Sequence, residues 1–109
     1  MEHKFFDNYW KDLGNAFGSL DRDAFCRAVE ILSEAYRNGK QIFCVGNGGS
    51  AATANHFVCD FGKNAVSDPS RPRFRMISLS DNVEKITAFG NDVAFDEIFR
   101  QQLINLMDE

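Results

Sequence analysis

Residues 41–52 read QIFCVGNGGSAA, and this stretch is the most informative part of the chain. The apolar run from Gln41 to Val45 predicts a strand, the glycines predict a tight turn, and the segment from Ser50 predicts a helix. Glycine lets the backbone turn sharply and approach a ligand closely. The unpaired amides of a helix's first turn, at the positive end of its dipole, favour an anion. We therefore interpret this stretch as a phosphate site with Ser50 as the helix N-cap.

Three kinds of phosphate loop share this order of elements. A Walker loop requires a lysine before its Ser or Thr, and none precedes Ser50, which argues against a P-loop NTPase. Gly46, Gly48 and Ala51 match the looser dinucleotide fingerprint. That fingerprint also requires an acid about 20 residues further on, and the acid after the next apolar run, Asp81, comes much later. A sugar-phosphate loop holds one phosphate through the serine and the amides, and it requires neither a nucleotide base nor an acid that binds ribose. An ordinary turn without a ligand is the remaining alternative.

The length and charge of the chain limit its class. Its 109 residues allow one domain at most, and 44% hydrophobic content with 11 phenylalanines can supply a core. A net charge of −4 argues against nucleic acid or an anionic membrane as the main partner. No apolar run approaches the roughly 20 residues of a membrane span, and the N-terminus lacks the apolar core of a signal peptide. We therefore expect a cytoplasmic protein.

Cysteine usage fits that expectation. The chain has an odd number of cysteines, and none of them form a C-x-x-C motif; they are Cys26, Cys44 and Cys59. All three lie within predicted helices or strands, so we interpret them as reduced packing residues. A reactive thiol is the alternative.

Apolar periodicity and the glycine and proline breaks predict the order of the elements. We expect helices at about 3–17 and 22–38, a strand at 41–45, a helix at 50–62, a loop at 63–72, a strand at 73–79, a short helix at 83–89 and a last helix from about 95. Asp21 can cap the second helix and Gly39 can end it. The apolar stripes of the first two helices fall at helical spacing, so we expect them in the core.

The strand–helix–strand–helix order implies a parallel sheet with helices on both faces. A parallel sheet normally has more than two strands, and here the sequence ends at an apolar-striped helix. We therefore expect one domain over 1–109 that is truncated at its C-terminus. Within it, 1–38 would form a helical pair and 40–109 the start of an α/β core.

Two polar pairs are candidates for chemistry. His56 and Asp60 stand four residues apart on the helix that begins at the glycine turn, so both lie on one face, within reach of a phosphorylated sugar or a shared metal. The alternative is an ordinary surface pair. Asn91 and Asp92 follow Gly90 and would either shape a turn or bind sugar hydroxyls. Asp81-Asn82 is interpreted as the N-cap of the short helix.

With these residues identified, the chain resembles the SIS (sugar isomerase) domain family, and within it the phosphoheptose isomerases. The resemblance rests on residues 46–52 (GNGGSAA), on His56-Phe57, and on Gly90-Asn91-Asp92 before FDEIF. It implies a Rossmann-like three-layer sandwich with a parallel sheet, of which this chain would hold only the N-terminal half, two strands and flanking helices. It also implies a homo-oligomer, usually a tetramer, that isomerises sedoheptulose 7-phosphate, often with zinc.

Site residues follow from the resemblance position by position. The residues that would hold the substrate are Asn47, Gly48, Gly49 and Ser50, with Asn91 and Asp92 also contacting it. His56 would be a zinc ligand. Asp60 stands where the isomerases have a glutamate that serves as metal ligand and proton-transfer base. Aspartate is one methylene shorter, and a misplacement of about 1 Å can cost about 100-fold in rate. The family's second phosphate loop and its late glutamine and histidine lie beyond Glu109.

Three functions remain open on this basis. The first is a ketose–aldose isomerase working through an enediol, with Asp60 as base and no turnover expected from 1–109 alone. The second, motivated by the aspartate, is a non-catalytic sugar-phosphate-binding protein that regulates a partner. The third, a dinucleotide-binding protein, rests on the Gly46-x-Gly48 pattern alone.

Overall fold

The computed structural model describes residues 2–108, which fall into two compact units. We call Met1–Ser33 the helical unit and Glu34–Glu109 the sheet unit. Helix α1 spans Glu2–Gly18, and α2 spans Arg22–Arg37, so the boundary between the units falls within α2. Both helices lie within about a residue of their predicted ranges.

The ends of α2 are set as the sequence predicts. Asp21 Oδ1 accepts a hydrogen bond from the Ala24 amide at 2.8 Å, which satisfies a donor of the first turn. At the other end Gly39 has a φ of +60°, and the Lys40 amide bonds back to the Ala35 carbonyl at 2.8 Å. Glycine takes this left-handed conformation at little cost, and it ends the helix.

The sheet unit is built on two parallel strands. Strand β1 spans Gln41–Cys44 and β2 spans Arg75–Ser78, each shorter than predicted, with Gln41 opposite Arg75 and Cys44 opposite Ser78. The helices that flank them are α3 at Gly49–Lys63, α4 at Val83–Asp92 and α5 at Arg100–Leu106. A single 3₁₀ turn at Phe95–Glu97 precedes α5, where the sequence predicted one continuous helix. The predicted α/β class, with a two-stranded parallel sheet and flanking helices, is confirmed.

The core of the sheet unit is small and centres on two residues. Leu79 and Ile98 are 0% and 1% exposed, and Ala54 and Met76 are also buried. Gln102 is buried too, and its Nε2 donates to the carbonyls of Leu79 at 3.0 Å and Ile98 at 2.8 Å. A buried amide needs such partners, and here they fix α5 against the end of β2.

A polar cluster fixes the other end of α5. Arg75 donates to the Gly39 carbonyl at 2.9 Å and to Asp108 Oδ2 at 2.7 Å. Gln41 Nε2 donates to the Leu106 carbonyl at 3.0 Å, and its Oε1 accepts from the Asp108 amide at 2.8 Å. Gln41 and Arg75 begin the two strands. This cluster therefore marks the amino edge of the sheet, and the loops after the strands lie at the opposite, carboxyl edge.

Two sequence predictions about the core are wrong. The stripe of α1 is exposed, from 39% at Leu13 to 73% at Phe17, and in α2 Phe25 and Val29 are exposed as well. Helical spacing identifies an apolar face but not whether anything covers it. Cys26 and Cys59 are likewise exposed, so they are not packing residues within this chain.

Cys44, by contrast, lies in β1 and is partly buried, as predicted. Burial raises the pKa of its thiol, since desolvation disfavours the thiolate.

Within residues 2–108, no helix is both long enough and apolar enough to cross a membrane.

Candidate functional site

The glycine turn lies at the carboxyl edge of the sheet, beside the loop that follows β2. Ser80 joins the two: its Oγ accepts from the Gly46 amide at 3.0 Å and donates to the Gly46 carbonyl at 2.8 Å. The Leu79 amide also continues the strand ladder by bonding to the Cys44 carbonyl at 3.0 Å. In open α/β sheets this edge is where ligands bind.

Gly46 is required by close packing. A Cβ at this position would overlap the Ser50 backbone and come within 2.8 Å of the Ala51 nitrogen. The end of β1 therefore lies directly against the first turn of α3. Any side chain at position 46 would push α3 away from β1. This close packing explains why the residue is glycine, and no unusual backbone conformation is needed.

The N-cap of α3 is Gly48, with a φ of +55°, and not Ser50 as the sequence predicted. The positive φ lets the chain enter the helix earlier, so Ser50 lies inside the first turn and provides no side-chain cap. Its amide donates to the Asn47 carbonyl at 3.0 Å. Ser50 can therefore offer a ligand its hydroxyl, while its main-chain N–H is already used.

The three preceding amides remain available. Among the described residues, the main-chain N–H groups of Asn47, Gly48 and Gly49 have no hydrogen-bond partner, and all three residues are exposed. Free amides at the start of a 15-residue helix, at the positive end of its dipole, are donors that suit a phosphate. The structure thus places the predicted turn residues together, with Ser50 next to them.

A second helix begins at the same edge. Asn82 Oδ1 accepts from the Lys85 amide at 2.8 Å and caps α4, so the cap predicted for Asp81-Asn82 belongs to Asn82. Since α4 follows the Ser80 loop directly, the N-termini of α3 and α4 both lie at the carboxyl edge.

His56 and Asp60 face each other on α3. His56 Nε2 lies 3.4 Å from Asp60 Oδ2, and the two side chains are 77% and 51% exposed. The other carboxylate oxygen, Oδ1, accepts from Asn64 Nδ2 at 3.2 Å. At 1.5 Å per residue, His56 lies about 10 Å and Asp60 about 16 Å along the helix from Gly49. A ligand held at the glycine turn must therefore extend along α3 to reach them.

An imidazole nitrogen and a carboxylate oxygen this close are chemically suited to zinc. Zinc sites need at least three protein ligands, and the described residues contain no group of three or more His, Cys, Asp or Glu side chains arranged for a metal. The pair fits two positions of a zinc site whose remaining ligands would come from outside residues 2–108.

Asn91 and Asp92 do not lie in the element that the sequence predicted for them. They occupy the last turn of α4 and not a loop after it, and Asn91 Nδ2 donates to Asp92 Oδ1 at 2.8 Å. Both are exposed. In the part of the chain that the structure describes, no hydrogen bond joins them to the glycine turn or to His56. They end a helix that starts at the carboxyl edge, about 15 Å away along its axis.

Sequence reasoning missed the serines that support the turn. Ser78 and Ser80 are buried, at 6% and 7% exposure, and Ser78 Oγ donates to Asn55 Oδ1 on α3 at 2.5 Å. The Ser80 amide in turn donates to Ser78 Oγ at 3.0 Å. The available signal was a Ser-x-Ser pattern at the carboxyl end of a predicted parallel strand.

One pocket lies away from all of these residues. Its volume is about 540 Å³, and it opens at the amino edge among residues that include Gly39, Gln41, Arg75 and Asp108. It contains none of the predicted site residues. The residues of the candidate site, Asn47 to Ser50 with His56 and Asp60, are themselves exposed.

Comparison with known proteins gives a consistent result. The family model of the SIS domain matches residues 5–108. A phosphoheptose isomerase from Chlorobaculum parvum is 37% identical over 79 residues, which cover 72% of this chain and 38% of the relative. The lincomycin biosynthesis protein LmbN of Streptomyces lincolnensis is 34% identical over 95 residues, covering 87% of this chain and 34% of that protein.

A solved structure agrees with these relatives. A phosphoheptose isomerase from Francisella tularensis superposes with a TM-score of 0.83 at 26% identity, covering 100% of this chain and 58% of that one. The chain spans between a third and a half of the length of the curated relatives it matches.

Proposed function

We propose that the intact protein isomerises a sugar phosphate of the sedoheptulose 7-phosphate type. The premise is that this chain belongs to the SIS domain family, whose model matches residues 5–108. The observation that carries the proposal is the glycine turn, where the free amides of Asn47, Gly48 and Gly49 adjoin Ser50 at the carboxyl edge of the sheet. The class of reaction, isomerisation, is inferred from the family relationship.

In this proposal the turn binds the substrate through its phosphate. The amides of Asn47, Gly48 and Gly49 and the hydroxyl of Ser50 would donate to phosphate oxygens, assisted by the dipole of α3. A seven-carbon sugar is long enough to extend from that point along the helix. Its reacting end would then come near His56, about 10 Å away, and the side chain of Asp60, which tilts back toward the helix N-terminus, would meet it from the next turn.

Ketose–aldose isomerisation moves a proton between adjacent carbons through an enediol. We assign the first transfer to Asp60, whose carboxylate would accept the proton from the carbon beside the carbonyl. The contact with His56 and the bond from Asn64 hold the carboxylate in one orientation. The proton is then delivered to the neighbouring carbon, and by the family resemblance a second acid/base from beyond Glu109 would assist this transfer.

Zinc is part of the proposal as a possible cofactor of the intact site. His56 and Asp60 would hold it, with further ligands from other residues. When bound, zinc would stabilise negative charge on the substrate oxygens. Asn91 and Asp92 would contact the substrate from the end of α4.

We also propose a cytoplasmic homo-oligomer, a tetramer by resemblance. The support is the exposed aromatic face of the helical unit, where Trp10 is 66% and Phe17 is 73% exposed. Faces of this kind are usually covered in an assembly.

The test is turnover by the intact protein. Sedoheptulose 7-phosphate is supplied with and without zinc, and heptose 7-phosphate is followed by the NMR signal of its anomeric proton, which the ketose substrate lacks. We expect product, and we expect Asp60→Asn to lower kcat by about 100-fold or more, because the isosteric amide cannot accept the proton. The matched control, Asp68→Asn, changes an exposed carboxylate in the 64–74 loop and should leave kcat unchanged.

Each result has a defined meaning. Substrate binding without turnover in either condition would reject the isomerase. Activity that arises only in Asp60→Glu would support the regulatory binding protein instead. Failure to bind the sugar phosphate at all would reject the proposed site.

A further inference from the structure

We infer that Ser80, supported by Ser78, is a positioning residue that aims the free Asn47 amide of the glycine turn at the phosphate. The inference rests on the proposed function and assigns a role to residues outside the predicted site. Ser80 would not touch the substrate itself. It would act through Gly46.

The first step is the hydrogen-bond geometry. Ser80 Oγ both accepts from the Gly46 amide, at 3.0 Å, and donates to the Gly46 carbonyl, at 2.8 Å. A serine hydroxyl has one proton, so these two bonds use its donor and one acceptor site. Both polar groups of Gly46 are therefore held by a single side chain from the neighbouring strand end.

The second step concerns the peptide plane. The Gly46 carbonyl and the Asn47 amide belong to one planar trans peptide, so they point in opposite directions. Fixing the carbonyl against Ser80 also fixes the direction of the Asn47 N–H, away from Ser80. Gly46 has no side chain of its own to hold this orientation, and glycine is the most conformationally free residue.

The third step links the turn to α3. The Ser80 amide donates to Ser78 Oγ, which donates its own proton to Asn55 Oδ1. Asn55 is adjacent to His56, so the same chain of bonds sets the position of α3 relative to the turn. Both serines are more than nine-tenths buried, so water does not compete freely for these bonds.

The experiment uses the intact protein and inorganic phosphate as the probe. Phosphate affinity is measured by calorimetry, and the amide shifts of Asn47, Gly48 and Gly49 are followed by NMR. Ser80→Ala should weaken phosphate binding about tenfold, the loss expected when one well-placed donor is misaligned. Ser80→Thr keeps the hydroxyl and should bind within about threefold of the wild type.

The matched control is Ser70→Ala. Ser70 bonds to Asp68 in an exposed loop, so its loss should leave phosphate affinity unchanged. With the sugar phosphate as substrate, Ser80→Ala should raise KM, whereas Asp60→Asn should lower kcat. A purely structural role would not separate the two variants in this way.

The experiment distinguishes a failure of the positioning role of Ser80 from a failure of the proposed function. If the wild type binds phosphate and a folded Ser80→Ala variant binds it equally well, the positioning role is overturned and the proposed function stands. If the wild type binds neither phosphate nor sugar phosphate, both are overturned. Should Ser80→Ala not fold, Ser80→Cys retains the size with a weaker hydrogen-bonding group, and wild-type affinity in that variant would overturn the role.

Discussion

The helical unit leaves the apolar face of α1 exposed, whereas the apolar face predicted for the last helix includes a buried residue. Trp10 and Phe17 on α1 are 66% and 73% exposed, whereas Ile98, in the turn before α5, is 1% exposed. Apolar residues at helical spacing thus have two structural outcomes. An apolar stripe identifies a face that favours removal from water, and whether this chain covers it depends on which other elements pack there.

The largest expected effect lies in the buried core. Ile98→Ala removes side-chain atoms from a fully buried site, and we expect the free energy of unfolding to fall by about 2–5 kcal/mol. Urea denaturation of the intact protein measures this change. The control, Ile104→Ala, removes the same side-chain atoms from a site that is 63% exposed and should cost much less. A loss from Phe17→Ala as large as that from Ile98→Ala would show that the α1 stripe is covered in the assembled protein.

The next effect compares two glycines of the turn. Gly46→Ala would place a Cβ against the Ser50 backbone, and the required shift should cost about 1–3 kcal/mol. Gly49→Ala is the control, because a Cβ there meets no atom within 4 Å and Gly49 has no positive φ. Thermal unfolding separates the two variants. Equal stability would contradict the close packing of β1 against α3.

A smaller effect tests what covers the helical unit. If a second copy covers its aromatic face, Trp10→Ala should weaken self-association by about 1 kcal/mol or more, seen by analytical ultracentrifugation. Phe95→Ala in the sheet unit is a matched control, since Phe95 is also 66% exposed. Dissociation by Phe95→Ala but not by Trp10→Ala would place the interface elsewhere.

The smallest effect is a pH dependence of the sheet unit. The hydrogen bond from Gln101 and the contact with Arg100 lower the pKa of Glu97. A lowered folded-state pKa gives stability that is present above the unfolded-state value and is lost as pH falls through the folded-state value. Glu97→Gln should therefore reduce the loss of stability on acidification. Gln101→Ala should reproduce part of this change, and an unchanged acid profile in Glu97→Gln would contradict the assignment.

Much of the fold could be predicted because its signals are local. The cap at Asp21, the helix end at Gly39 and the turn after β1 each depend on the backbone preferences of a few neighbouring residues. The spacing of His56 and Asp60 likewise follows from helix geometry, and the 3.4 Å contact confirms that they face each other.

Two other features were not predicted from the sequence. The N-cap of α3 moved to Gly48 because a positive φ there lets the helix start before Ser50. The bond between Ser80 and Gly46 joins residues 34 apart in the chain, and no local pattern specifies it.

The sequence by itself determined the order of elements, the parallel α/β class and the glycine turn that opens α3, because each follows from local backbone preference or apolar spacing. Tertiary structure alone decided which apolar faces are buried and that Ser78 and Ser80 hold the turn. The physical reason is that burial and buried hydrogen bonds depend on which segments meet in space.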